Sequence, residues 1–326
     1  MDRSRRRTGL VVVAAHRVEV RGNTVKGTAA RSIGMSIECR EQSPGLAIVA
    51  DNRLEGLRRG LTITCRKDEG TFVVENNTVR GNSDAGIVVR AKDVALRSNT
   101  VEGNGIGILV ERSASILGDV VRGNRGAGIL VRPKAEAHIL NLRAGGNGGP
   151  GIDLAPAGVT PNAARKTASD DVPFPEAKYD SSTGRLRGTA CAGCLVQVYE
   201  SEDGSKKGNP RNGEGWRAIG AARAGADGRW SHGVDCPKTG RVTMTATRGK
   251  VTSEFSVDVE CGCLLRKNFI VSGAGTPRTG FWSFGLRVLF PKGSKLERAT
   301  LVDVLTEERP TADALGDMLE WEEVQR

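Results

Sequence analysis

A short apolar strand led by glycine returns along the first half of the chain with a regularity that few folds tolerate. It reads GMSI at 34, GLTI at 60, GIVV at 86, GILV at 107, GILV at 128 and GIDL at 151, in steps of 26, 26, 21, 21 and 23 residues. A seventh copy, GLVV at Gly9, lies 25 residues before the first of these. A unit of that length cannot bury its own apolar face, so it must stack on its neighbours into a solenoid.

Two further segments recur inside each unit. One is a turn and short strand, as at Asn77-Thr78-Val79 and Asn99-Thr100-Val101; the other is an alternating strand, as at Val94-Ala95-Leu96 and Ser115-Ile116-Leu117. Three short strands per unit, with Gly and Asn where the backbone must turn tightly, describe a parallel β-helix of about seven coils. The two-residue period of a strand points Ile87 and Val89, Ile108 and Val110, and Ile129 and Val131 inward, where they stack as a core. Asn82, Asn104 and Asn124 follow the turn at matching offsets, and a side-chain ladder from coil to coil outweighs a ligand surface.

Composition fits this architecture. Aromatic residues make up only 4% of 326 residues while Gly supplies 43, which favours small and β-branched packing over a core of large rings. The formal net charge of +10 invites a nucleic-acid or acidic-polymer partner. The pattern argues against the first. On stacked coils Lys26, Glu55, Arg80, Glu102, Arg122 and Arg143 form one column, and Arg90, Glu111 and Arg132 another. Signs in these columns mostly alternate, which supports neighbours across a ladder, whereas a nucleic-acid groove keeps one sign.

The opening MDRSRRRTGLVVVAAHR has the basic start and short apolar run of a secretory signal, yet its apolar run is in register with the coils and reads as a strand. A coil beginning at Gly9 leaves strand edges uncovered, and MDRSRRR is too short to cap them. The expectation is a chain truncated at its N-terminus, whose missing part held further coils and the export signal. No run approaches the roughly 18 to 20 apolar residues of a membrane span.

Cys39 and Cys65 each lie five residues after a strand glycine, so they stack on adjacent coils within the Cα range of a disulfide; two buried thiols are the alternative. Cys191, Cys194, Cys236, Cys261 and Cys263 follow later. Their spacing is not that of a zinc ribbon, and disulfides in an oxidising compartment, with one cysteine left over, are the preferred reading.

The coils resemble the right-handed parallel β-helix repeats of the pectate-lyase-like superfamily. The run GNGGPGIDLAPAGVTPN (146–162) is similar to the last coil of bacterial extracellular β-helix proteins that continue into a small β-sandwich. GTACAGCLVQVYESEDG (188–204) and TATRGKVTSEFS (245–256) look like the first and last strands of that sandwich. The resemblance implies an all-β chain: a β-helix over 1–157, a linker over 158–183, an Ig-like sandwich over 184–262 and a C-terminal segment over 263–326. Sandwich strands are expected at 195–199, 216–221, 241–246 and 255–259. In the last segment GFWSFGLRVLF (280–290) reads as a buried strand or contact surface, and PTADALGDMLEWEEVQR (310–326) as a short acidic helix.

The resemblance carries activity far less far than fold, since its members include lyases, hydrolases and adhesins. Hydrolases of the superfamily carry paired Asp residues with His and Arg nearby, and calcium-dependent lyases need converging carboxylates and a basic residue. No such column forms here. Asp84 is matched in neighbouring coils by Arg58, Gly105 and Gly126, and Asp93 by Lys67, Ala114 and Ala135. Asp153 reads as part of an end-coil turn, and His138 as a packed or solvated histidine. Asp84, Arg58 and Arg80 are the weak catalytic candidates that remain. The expected function is a non-catalytic extracellular or cell-envelope protein, acting as a structural or (poly)saccharide-binding module toward a polysaccharide or cell-surface glycan. The alternative is a lyase or hydrolase of an acidic polysaccharide. No cofactor is expected in the first case, and calcium enters only with a lyase.

Overall fold

The computed structural model describes residues 8–14, 17–27, 32–39, 45–65, 70–162, 172–202 and 212–261, and the backbone of 264–274, 281–291 and 320–323. The chain divides into two compact units, Met1–Cys261 and Gly262–Arg326. Among the described residues there is no α-helix.

The first unit opens with six coils of three strands each. They are β1 (Thr8–Ala14), β2 (Arg17–Arg21) and β3 (Thr24–Lys26); β4 (Ile33–Cys39), β5 (Leu46–Ala50) and β6 (Arg53–Glu55); and β7 (Arg59–Thr64), β8 (Thr71–Glu75) and β9 (Thr78–Arg80). Then come β10 (Ala85–Arg90), β11 (Asp93–Arg97) and β12 (Thr100–Glu102); β13 (Ile106–Val110), β14 (Ser113–Leu117) and β15 (Val120–Arg122); and β16 (Ile129–Val131), β17 (Glu136–Leu140) and β18 (Arg143–Gly145). A last strand, β19 (Ile152–Leu154), begins a seventh turn. Every third strand pairs in parallel, giving sheet A (β1, β4, β7, β10, β13, β16, β19), sheet B (β2 to β17) and sheet C (β3 to β18).

The expected inward positions form the core. Ile87, Val89, Ile108, Val110 and Ile129 are fully buried, and Val131 nearly so, in one cluster with the inward residues of sheets B and C. The leading glycines have a specific steric cause. A Cβ on Gly34, Gly60, Gly86 or Gly128 would press on the carbonyl oxygen of the next leading glycine at 2.6–2.7 Å, so consecutive coils approach too closely there for any side chain. A second glycine column, Gly56, Gly81, Gly103 and Gly123, turns out of sheet C with φ near +60° to +66°, the left-handed region that only glycine enters freely.

Asn82, Asn104 and Asn124 are fully buried and do form a ladder. Each backbone N–H and side-chain Nδ2 donates to the Oδ1 of the next asparagine, at 3.0 and 2.8 Å for Asn82 to Asn104, and the ladder ends on Asn147. A parallel ladder runs Asn23, Asn52, Asn77, Asn99 and Asp119 between sheets B and C.

The rest of the unit is a sandwich of two antiparallel sheets. One holds β20 (Glu176–Asp180), β21 (Arg185–Thr189) and β24 (Arg229–Gly233); the other holds β22 (Leu195–Glu202), β23 (Glu214–Arg223), β25 (Arg241–Arg248) and β26 (Val251–Thr252), with β27 (Val259–Glu260) on β25. Leu186, Val196, Val198, Trp230, Val242 and Met244 fill the space between them.

Two expectations are corrected here. The linker expected over 158–183 is in part sandwich: Glu176–Asp180 pairs with Arg185–Thr189 across the turn at 181–184, and Val172 is buried against Cys194 and Ala246. The strand expected at 255–259 is only Val259–Glu260, because Phe255 leaves the sheet. Its ring meets Tyr199 edge-on at 5.4 Å, and both rings join the core of the β-helix. The sandwich is therefore docked on the last coil.

In the second unit β28 (Leu264–Ala274) and β29 (Phe281–Pro291) form an antiparallel pair, so the aromatic run is a strand as expected. The terminal helix expected over 310–326 is contradicted where it is described, since Glu320–Glu323 is a strand, β30, paired to β28. Alternating Glu and Trp suit a two-residue period better than a helical one. Residues 310–319 lie outside the described residues.

Candidate functional site

Sheet C supplies a surface feature that crosses all six of its strands. The third residue of each of its strands points outward, and the ladder register aligns Lys26, Glu55, Arg80, Glu102 and Arg122 coil on coil. Left-handed glycines follow Glu55, Arg80, Glu102 and Arg122, so no side chain rises on that side of the column, while the first residues of the strands, Arg53 among them, flank the other side. The result is a trough of about 940 Å³ lined from Lys26 to Gly146 and ending at Glu202. Five ladder steps at about 4.8 Å each make it roughly 24 Å long.

Arg143, expected at the end of this column, is displaced from it. Arg122 pairs with Gly145, while Arg143 stands beside Val120, because Ala144 continues the inward column after Val121 in unbroken register. Its guanidinium instead lies 5.1 Å over the Trp216 ring of the sandwich. Trp216 and Glu202 come down onto Gly145, where a side chain would collide with both. The sandwich thus forms the far wall of the trough.

Inside the trough the charges are paired. Arg80 reaches Glu55 at 2.7 Å, Arg53 bonds the same carboxylate, and Arg122 reaches Glu102 at 3.0 Å. Partial burial pulls the Glu55 carboxyl upward, but the bonds from Arg80 and Arg53 outweigh it and hold the group below the usual carboxylate range. Neither Lys26 nor Glu202 has a side-chain partner among the described residues, so the trough has a bare cation at one end and a bare carboxylate at the other.

Two of the three sequence candidates, Asp84 and Arg58, meet as an ion pair, and Arg80 lies apart from them. Asp84 accepts from Arg59 at 2.7 Å and lies 3.5 Å from Arg58, at the corner between sheets C and A, whereas Arg80 belongs to the trough. Beyond that corner the second charge column runs along sheet A. Arg90 holds Glu111 through two bonds at 2.6 and 3.1 Å, and this contact keeps the Glu111 carboxyl below its ordinary range with a smaller contribution from Arg132. Asp93 accepts from Thr71 at 2.6 Å. His138 sits half-buried on β17 of sheet B, across from Ser115. Asp153 accepts from the Gly158 N–H at 3.1 Å, as an end-coil turn requires, and burial raises its carboxyl.

Cysteines divide between the two parts. Cys39 and Cys65 are bonded on adjacent coils with Cα atoms 5.1 Å apart, and Cys191 is bonded to Cys194 across a tight turn. Cys236 Sγ donates to the Cys261 carbonyl at 3.3 Å. Cys263 lies outside the described residues.

Sequence reasoning found the trough column but read it only as ladder support. It missed Glu202 and Trp216, which reach the coils through tertiary docking and leave no periodic signal. It also missed the side chains that close the last coil. Ile139 N–H donates to Thr252 Oγ1 at 2.8 Å and Asn141 N–H to Gln197 Oε1 at 3.3 Å, on sheet B. Asn147 donates through N–H and Nδ2 to the two oxygens of Glu214 at 3.0 and 2.6 Å. Leu154 and Thr160 N–H donate to the buried carboxylate of Glu254 at 3.0 and 2.9 Å.

Stacked parallel coils with internal asparagine ladders, closed at one end by a docked sandwich, define a capped parallel β-helix protein. Residues 3–144, the stretch that holds the stacked parallel coils, match the family model described as right handed beta helix region. No curated protein matches the chain.

Proposed function

We propose that this protein is a non-catalytic β-helix module, extracellular or in the cell envelope, that holds an extended (poly)saccharide along the sheet C trough. The trough carries the reading: it is straight, crosses every coil from β3 to β18, and is bounded by the sandwich. Its floor is backbone and glycine, and its inner charged groups, Arg80 with Glu55 and Arg122 with Glu102, are fixed by one another at the coil pitch, a surface suited to repeated hydrogen bonds rather than proton transfer. Asp84, bound by two guanidinium groups at a separate corner, is better explained as an ion pair than as a nucleophile or base. Two disulfides support an oxidising compartment. No helix among the described residues is long and apolar enough to cross a membrane. Binding of this kind needs no cofactor.

The test is affinity electrophoresis of the purified chain through gels holding soluble polysaccharides, with reducing ends and ultraviolet absorbance of unsaturated products followed in parallel, calcium present. Retardation without new chain ends, abolished by Arg80→Trp across the middle of the trough, is the expected result. New ends that disappear in Asp84→Ala would instead establish the lyase or hydrolase reading.

A further inference from the structure

The charge of the trough does not follow the charge of the chain. The whole sequence is at +10, a balance that favours polyanions. Within the trough three cations, Lys26, Arg80 and Arg122, face three carboxylates, Glu55, Glu102 and Glu202. The two inner arginines are already committed to glutamates one coil away, at 2.7 and 3.0 Å. A polyanion laid here would have to displace those glutamates and lie against their charge at alternate coils, and like charges in close contact are disfavoured.

A hydroxyl group meets no such conflict. Arg donates only and a carboxylate accepts only, whereas a hydroxyl does both. A column that alternates donor and acceptor at about 4.8 Å is complementary to a chain of hydroxyls, which carry no charge for either group to oppose. From Gly81 to Gly123 the glycines beside it leave room for a flat ring to approach the backbone, with open space within 4 Å of the missing Cβ of Gly123 and only backbone nitrogens near the limit at Gly81 and Gly103, whereas at Gly56 the Gly27 carbonyl oxygen closes in to 2.5 Å.

We infer that the trough selects an uncharged, linear, hydroxyl-rich glycan and discriminates against polyanionic ones. This rests on the binding reading above and names its ligand class.

The experiment compares the intact protein on a soluble neutral β-glucan and on polygalacturonate, at low and physiological salt, by affinity electrophoresis and calorimetry. A double variant, Glu55→Lys with Glu102→Lys, makes the column cationic throughout, while Glu136→Gln on sheet B removes one carboxylate outside the trough; thermal melts verify folding of each. The expected result is retention on the glucan with less than a twofold change across the salt range, kept in Glu136→Gln. The double variant loses that retention at least tenfold and gains salt-sensitive polygalacturonate binding. Preference of the unaltered protein for polygalacturonate, falling steeply with salt, overturns the inference and leaves the binding reading standing. Failure to bind either polymer overturns both.

Discussion

Replacing Asp119 with asparagine tests how the ladder between sheets B and C is held. Asp119 is fully buried, and burial lifts its carboxyl from 3.8 to about 6 against hydrogen bonds from Asn99 that pull it down. Its Oδ1 accepts from Asn99 N–H and Nδ2 at 2.8 and 2.7 Å, while Oδ2 has no partner. Higher in the ladder the Nδ2 groups of Asn52, Asn77 and Asn99 donate to the carbonyls of Val20, Val49 and Val74. Val74 is aligned with Leu96 on the next coil, so the register brings the Leu96 carbonyl to the place where Oδ2 lies. A protonated Asp119 donates to that carbonyl; an ionised one opposes it. The displacement from 3.8 to about 6 amounts to ~3 kcal/mol. Because the folded value is raised, the native state holds the extra proton, and stability is gained as pH falls from about 6 toward 3.8 and lost as it rises. The amide introduced by Asp119→Asn supplies the donor at every pH, at a cost of ~1 kcal/mol for a second N–H facing buried Leu142. Urea unfolding followed by circular dichroism should find Asp119→Asn more stable than the unaltered protein by ~2 kcal/mol at pH 7.5 and slightly less stable at pH 4. A difference that stays constant between those pH values would falsify this account, whatever its sign.

Other perturbations reach separate parts of the frame. Removing the Cys39–Cys65 bond by paired serine substitutions should cost about 3–4 kcal/mol for its span of 26 residues, against about 2 for Cys191–Cys194, measured by urea unfolding without reductant. Glu214→Ala leaves the N–H of buried Asn147 without an acceptor and its Nδ2 with only the Val121 carbonyl, so ~2 kcal/mol should be lost, with faster amide exchange confined to β18 and its neighbours. Gly107→Ala drives a Cβ into the Gly128 carbonyl and should destabilise by about 1–3 kcal/mol or more, whereas Gly123→Ala, with open space and a φ of +60°, should cost only ~1 in the same assay.

The β-helix was legible because its constraints are local and repeated. One glycine per coil, dictated by the carbonyl of the coil beside it, marks the period; the inward Ile and Val positions follow from the strand alternation; and Cys39 and Cys65 share a phase. The Arg143 error is one of counting, since the last coil keeps the phase: the step of 23 residues from Gly128 to Gly151 carries Arg122 to Gly145, its ladder partner. The second asparagine ladder had a visible signal in the matching turns at Asn77 and Asn99. It went unread because Asp119 breaks the residue type while keeping the geometry. The capping contacts join residues 56 to 113 positions apart with no period at all, so the sandwich looked like a separate module on a linker. For the candidate site the same division holds: the periodic column from Lys26 to Arg122 was readable, and the Glu202 and Trp216 wall was not.

A periodic stack carries no instruction to stop, and the two amide ladders show how this chain supplies one. In the middle of a ladder each asparagine needs both functions, accepting from the coil before and donating to the coil after. At the last rung the donor has nowhere to go, and an amide there leaves an N–H unsatisfied. Both ladders finish on a side chain that only accepts when ionised. Asp119 closes one, where Leu142 follows on the next coil, and Glu214 of the sandwich closes the other by taking both donors of Asn147 on its two oxygens. The solutions differ in their surroundings. Glu214 divides the two bonds between its oxygens at a half-buried position, whereas Asp119 takes both on one oxygen and keeps the other buried without a partner. That difference is why the internal terminator carries a raised pKa, and why a docked domain is the better place to end a ladder than a coil that must continue stacking.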